Sequence, residues 1–115
     1  MSTAPQTGAK QMPGAEIVRL GELVAYQDGA VVSRTLVKRA TGTITAFAFD
    51  AGQGLSEHTA QFDALVQIIE GEAEITISGK VFSLRGGEAI LLPALQPHAV
   101  SATTQFKMLL TMIRS

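Results

Sequence analysis

The amino-acid sequence predicts an all-β domain built as a barrel or a sandwich. Three observations favour this fold class. Short apolar stretches carry the alternation of strands, glycine and proline separate these stretches, and no segment keeps a helical apolar period over several turns. Leu20 to Tyr26 is predicted to form at most one or two helical turns. Many short strands joined by Gly and Pro turns are typical of sandwiches and barrels.

The predicted strands are bounded by turn residues. In chain order they are Val31 to Lys38, Thr43 to Phe49, Leu65 to Ile69, Glu72 to Ile77, Val81 to Leu84, Ala89 to Leu92 and Phe106 to Ile113. Gln27-Asp28-Gly29 is a turn signal before the first strand, and Arg85-Gly86-Gly87 is one before the strand at Ala89. Ser78-Gly79-Lys80 predicts a tight hairpin between two neighbouring strands.

Side-chain alternation predicts which faces of these strands are buried. In Thr43 to Phe49 the two phenylalanines share one face and the two alanines share the other. Leu65 to Ile69 is apolar on both faces except at Gln67, which is expected of a strand covered on both sides. Glu72 to Ile77 alternates like an antiparallel strand with one solvated face.

The length of 115 residues is sufficient for one domain with a buried core. Residues 1–14 are polar, small and without an apolar period, so we interpret them as a flexible N-terminal arm, or as one ordered by a partner subunit. Residues 15–115 are predicted to form the single domain.

Composition excludes several partner classes. A formal net charge of -1 and a pI near 6.1 give no electrostatic reason to expect nucleic acid or an anionic membrane. No apolar run is long enough to span a bilayer, and the N-terminus lacks the apolar core of a signal peptide. The absence of cysteine excludes disulfides and thiolate ligands, and together with the missing signal it favours a cytoplasmic location.

The two histidines of the chain occupy a recognisable framework. Gly52, His58 and Gly71 follow one spacing, and Gly87, Pro93 and His98 follow another. These segments resemble the two signature motifs of the cupin superfamily, from about Thr43 to the C-terminus. The resemblance implies a cupin barrel (a double-stranded β-helix, or jelly roll). The glycines and prolines of such a framework make the turns that set strand register.

Four positions depart from the family pattern. Ala60 and Ala64 stand where the first motif has a second His and a Glu, and Leu95 and Ala102 stand where the second motif has Gly and Asn. In a complete cupin the three His and the Glu bind iron, manganese, zinc, nickel or copper, so here only His58 and His98 match ligand positions. Catalytic zinc sites usually have three protein ligands and water.

Other residues are candidates for completing or lining the site. By strand parity Val66 and Ile68 share the inward face with Ala64, and Ala60 shares the face of His58. The best candidates for a further donor are Gln61, at a bend of the chain, and Gln96, which shares parity with His98. Met108 offers a sulfur ligand from the last strand, but this ligand favours copper(I).

Two alanines in place of a His and a Glu predict a roomier, more apolar pocket with two imidazoles on facing strands. Three functions are compatible with such a pocket. The first is binding of a divalent metal (Fe, Mn, Zn or Ni) through His58 and His98, as in a metal-dependent oxygenase or isomerase. The second is metal-free binding of a small sugar-like or aromatic ligand. The third is a structural or regulatory domain without catalysis. The residues identify no catalytic group.

A homodimer is expected. The last strand, Phe106 to Ile113, is apolar on both faces, and Leu65 and Ile69 show the same excess on a second strand. Strands of this kind need cover beyond the barrel interior. Cupins commonly dimerise by packing sheets and exchanging N-terminal strands, which would give residues 1–14 a role.

Overall fold

A computed structural model of the protein describes residues 11–114. Within this range the chain forms a short 3₁₀ turn, Leu20–Glu22, and a set of antiparallel β-strands. The strands are β1 (Val31–Arg39), β2 (Gly42–Phe49), β3 (Gly54–His58), β4 (Ala64–Ile77), β5 (Lys80–Arg85), β6 (Ala89–Leu92), β7 (His98–Ser101) and β8 (Phe106–Ile113). None of the described helices has the length and apolar character needed to cross a membrane. The predicted all-β jelly roll is confirmed.

The strands form a curled antiparallel sheet in which β4 belongs to both walls. Its first half pairs with β6 and β8, and β8 continues through β2 to β1. Its second half pairs with β5 and β7, and β7 pairs with β3. The sequence prediction of two separate strands was wrong at this point. A register shift between Ile68 and Glu70, followed by Gly71 with φ +80°, bends the strand without interrupting it.

The barrel interior is filled by apolar side chains from both walls. Phe47 and Phe49 face inward, and the rings of Phe49 and Phe106 stack with centroids 4.4 Å apart. Ala64, Val66 and Ile68 are buried in the same cluster, as strand parity predicts. The alternation of β2 is therefore confirmed.

The N-terminal segment covers the outside of β1 and β2. Leu23 and Val24 are buried against the outward alanines of β2. The segment is also held by polar contacts: buried Lys107 donates a hydrogen bond to the carbonyl of Gly21, and the Tyr26 hydroxyl donates to Glu70 at 2.8 Å. Of the predicted arm, residues 1–10 lie outside the described residues. The Met12 N–H donates to the Leu36 carbonyl of β1 at 2.9 Å.

The outer face of β6, β4 and β8 carries two cross-strand rows without a charged side chain. Register places Leu91, Leu65 and Thr111 side by side, and the next row contains Ala89, Gln67 and Leu109. Leu91 is 51% exposed. An uncharged and largely apolar face of this kind suits packing against its own copy, because the same rows meet without charge repulsion.

We expect Gly71→Ala to destabilise the domain by more than about 3 kcal/mol. A Cβ at Gly71 would overlap the backbone oxygen of Gln105 and lie 2.8 Å from Cα of Phe106, in addition to the cost of a positive φ. Gly79→Ala is the matched control, since Gly79 has φ +83° with open space around it, and should cost only about 1–2 kcal/mol. Urea denaturation measures both. Equal losses would show that the close approach at Gly71 does not constrain the bend.

We propose that the chain is a homodimer joined by the uncharged outer face. Light scattering at micromolar concentration should give twice the mass of one chain. For Leu91→Glu the measured mass should fall to that of a single chain, because each copy would bury a carboxylate in the interface. Val81→Glu is the control, because Val81 is similarly exposed at 57% but lies on β5 of the other wall. A monomeric wild type contradicts the proposal.

Candidate metal centre

Strands β3 and β7 bring the two histidines together. The strands are antiparallel neighbours, and His58 lies directly opposite His98 in register. Gly52, with φ +84°, makes the turn before β3, and Pro97 precedes His98 at the start of β7. On its other side β7 pairs with β4, where His98 lies opposite Ile77. The second half of β4 therefore fixes the position of β7, and β7 fixes that of β3.

The imidazole rings converge closely. The two Nε2 atoms are 3.1 Å apart, and the ring centroids are 4.4 Å apart with an angle of 69° between the planes. The expectation that the rings meet from opposing walls of the barrel was wrong. They form a cross-strand pair within one wall, because β3 pairs with β7 instead of lying across the interior from it. Side-chain alternation within the motifs predicts which face of its strand each histidine occupies. It does not predict which strands are neighbours.

A backbone carbonyl two residues earlier holds each ring. His58 Nδ1 lies 2.8 Å from the Ser56 oxygen, and His98 Nδ1 lies 3.2 Å from the Gln96 oxygen. A carbonyl oxygen only accepts hydrogen bonds, so each Nδ1 carries the proton and donates. In the neutral rings both Nε2 atoms are then unprotonated and turn their lone pairs toward each other. A cation bound by both nitrogens, or one additional proton between them, removes this repulsion.

The environment of the pair favours the neutral form of His98. His98 is only 3% exposed, whereas His58 is partly exposed. Burial lowers the pKa of His98 because it disfavours the charged imidazolium; the Gln96 carbonyl opposes this shift, and the nearby His58 adds to it. Neutral imidazole is the form that binds metal ions.

The other predicted site residues divide into two groups. Ala60 is partly exposed, Gln61 is exposed, and the Gln96 side chain accepts a hydrogen bond from Ser78 Oγ at 3.2 Å. Ala64 and Met108 are buried in the core, and Met108 lies opposite Ile68, four residues along β4 from Ala64. Among the described residues, no group of three or more His, Cys, Asp or Glu side chains is placed to hold a metal.

Sequence reasoning missed the contacts that position the loop before His98. The Asp63 carboxylate accepts a hydrogen bond from the Ala94 N–H at 2.8 Å, and the Ala60 carbonyl accepts one from the Leu95 N–H at 2.8 Å. From the sequence, Asp63 would be interpreted as a solvated loop residue. Its role depends on a partner 31 positions away, for which local sequence carries no signal.

Surface cavities lie elsewhere on the domain. One of about 400 Å³ lies between β5 and β6, lined by Phe82, Ile90 and their neighbours. Another of about 220 Å³ lies on the outer face beside Gln67 and Leu109. Neither histidine lines either of them.

Comparisons with known proteins agree on the family. The family model of the cupin domain matches residues 46–114. A conserved protein of unknown function from Streptococcus pyogenes is 36% identical, with a TM-score of 0.87 over 92% of this chain and 93% of that one. A cupin superfamily protein from Desulfitobacterium hafniense is 28% identical, with a TM-score of 0.86 over 92% of this chain and 97% of that one.

A salicylate 1,2-dioxygenase from Pseudoaminobacter salicylatoxidans shares the fold at 18% identity and a TM-score of 0.68, over 72% of this chain and 26% of that one. The search of curated proteins found no match. The matched region contains both histidine-bearing strands and every strand that positions them. The chain therefore belongs to the cupin family.

Proposed function

We propose that His58 and His98 bind one divalent transition metal ion through their Nε2 atoms. The observation that carries this proposal is the convergence of two unprotonated nitrogens, 3.1 Å apart, whose opposite ring nitrogens are both held by carbonyls. A hydrogen bond from the second ring nitrogen to a carbonyl is the usual support of a metal-binding histidine, because it fixes the tautomer and the ring orientation.

The distance between the two nitrogens suits a shared ion. With metal–nitrogen bonds of about 2.0–2.1 Å, a separation of 3.1 Å corresponds to an angle of about 100° at the metal. This angle lies between those of octahedral and tetrahedral coordination. Imidazole ligands suit zinc, nickel, copper and iron, whereas a magnesium or calcium site would be built from oxygen donors.

With two protein ligands, a bound metal would leave most of its coordination positions to water or to a small organic ligand. The metal would supply Lewis-acid activation of that ligand, and redox chemistry as well if it is iron or manganese. The protein's own residues hold the two nitrogens at fixed separation, favour the neutral form of His98 and exclude water from its side of the pair. These roles support a metal-dependent reaction on a small molecule, such as an oxygenation or an isomerisation.

The absence of a third acidic or histidine ligand in residues 11–114 favours a second candidate function. In it the imidazole pair binds a small polar ligand without metal, and one additional proton lies between the two Nε2 atoms. The two functions differ in their response to a chelator, which removes a metal-dependent activity and leaves metal-free binding unchanged.

Metal binding is tested by reconstitution. Protein stripped with a chelator is incubated separately with Zn²⁺, Ni²⁺, Mn²⁺ and anaerobic Fe²⁺, desalted and analysed by mass spectrometry of the elements. We expect about one equivalent of at least one metal, and a loss of roughly tenfold or more in affinity for His58→Ala and His98→Ala. Glu57→Gln is the control, because exposed Glu57 is adjacent to His58 but has opposite strand parity. Less than about a tenth of an equivalent for every metal would exclude the proposal.

The metal-free protein should lose stability on acidification through His98. Because its folded-state pKa is below the ordinary value of 6.5, the unfolded chain binds the proton first as the pH falls. The stability that the neutral form of His98 contributes to the folded state is fully present above pH 6.5. It is lost as the pH falls from there toward the folded-state pKa. Urea denaturation between about pH 7.5 and pH 5.5 should therefore show a smaller decline for His98→Asn, whose amide retains a donor near Nδ1. Parallel curves for the two proteins would contradict the prediction.

A further inference from the structure

The two walls of the barrel separate along one side, between β5 and β6. Strand β5 pairs with the second half of β4 and β6 with its first half, and within residues 11–114 neither pairs with another strand. Because β4 bends between its halves, the two strands diverge. The cavity of about 400 Å³ lies in this opening and is lined by residues 81–84 and 88–90. We name it the β5–β6 cleft.

The floor of the cleft is apolar and continuous with the barrel core. Leu84 is buried in the core cluster, and the partly buried Phe82 and Ile90 pack against that cluster. All three side chains line the cleft. A molecule bound there would cover the apolar surface that Phe82 and Ile90 leave exposed, which favours binding. The volume is within the range of small-molecule sites.

One charged side chain, Glu88, lines the cleft. It ends the turn that joins β5 to β6, and its N–H donates a hydrogen bond to the Arg85 carbonyl at 2.9 Å. The Arg85 N–H donates in return to Glu88 Oε1 at 2.8 Å, which holds the carboxylate beside the apolar floor. Within the described part of the chain, this carboxylate forms no ion pair with a Lys, Arg or His side chain.

The cationic side chains that flank the cleft in sequence have other partners. Lys80 Nζ lies 5.2 Å from the centroid of the Phe82 ring, and Arg85 Nε lies 3.5 Å from a Glu72 carboxylate oxygen. Neither Lys80 nor Arg85 lines the cleft. The cleft therefore combines an apolar floor with a carboxylate that no cation of the described residues neutralises.

We propose that the β5–β6 cleft binds a small organic amine with an aromatic or branched alkyl body. The ammonium group pairs with Glu88, and the body packs against Phe82 and Ile90. The carboxylate selects a cation over a neutral or anionic group, and the apolar floor selects the body. The cleft shares no residue with the histidine pair, so this binding site is independent of the proposed metal site.

The test compares three probes that have the same body and different charge: 3-phenylpropylamine, 3-phenylpropanol and 3-phenylpropanoate. Each is titrated at low ionic strength into the full-length protein, and binding is followed by NMR. The Arg85 amide reports on the charged end, because it donates to Glu88. The Phe82 ring protons report on the body. The ring signals of His58 and His98 should not move, since neither histidine lines the cleft.

We expect the amine to bind about fivefold or more tightly than the alcohol, and the acid to bind more weakly than both. In Glu88→Gln the preference for the amine should fall below about twofold. The glutamine oxygen still accepts a hydrogen bond from the Arg85 N–H, so the turn should be retained. Glu57→Gln, which removes an exposed carboxylate from β3, is the control and should keep the preference.

Phe82→Leu tests the apolar floor separately from the charge. Leucine retains apolar packing against the core but removes the ring, so all three probes should bind about threefold more weakly while the preference for the amine remains. Equal affinity of all probes for Phe82→Leu and the wild type would overturn the placement of the body.

Three other results would overturn the inference. They are equal affinities of the amine and the alcohol, a preference for the amine that survives Glu88→Gln, and tighter binding of the acid, which would assign recognition to Lys80. Absence of saturable shifts at Arg85 and Phe82 up to about 10 mM amine has the same consequence. Failure of metal reconstitution leaves the inference unaffected, because no metal takes part in it.

Discussion

The bend of β4 is the constraint on which the candidate site depends. Because the strand continues through Gly71 into both walls, its first half aligns β6 and its second half aligns β7. The loop between β6 and β7 must then span from one half of β4 to the other, and it places His98 opposite Ile77 at the end of this path. β3 adds to β7 and carries His58 into register with it. Backbone pairing thus brings the two nitrogens to within 3.1 Å of each other.

Local hydrogen bonds orient the two rings that strand pairing brings together. Each ring is oriented by a carbonyl of its own strand segment, so the orientation needs no further side chain. The two rings are therefore held in place although the residues at the two other family ligand positions are alanines. This orientation also directs the two Nε2 atoms toward each other, which is the geometry on which the proposed metal binding rests.

The departures from the family pattern have different structural consequences. Ala64 and Ala102 are buried in the barrel core, where small apolar side chains pack without leaving a polar group unsatisfied. Leu95 is the opposite case, because its side chain is exposed and its backbone conformation suits glycine. Packing accounts for the alanines, whereas the structure of the free domain offers no stabilisation that accounts for the leucine.

The all-β fold, the inward faces of β2 and of Ala64 to Ile68, and the turns at glycine and proline could all be predicted from the sequence. They depend on local alternation and local backbone preference. The sequence also identified both histidines as the candidate site through their motif spacing. Three features became visible only in the folded chain: β4 is one bent strand, the histidines are neighbours in one wall, and Asp63 and Ala60 hold the turn at Leu95. These features depend on hydrogen bonds between residues that are distant in sequence. Strand alternation repeats every two residues, so it specifies which face of a strand a side chain occupies but not which strand lies next to it.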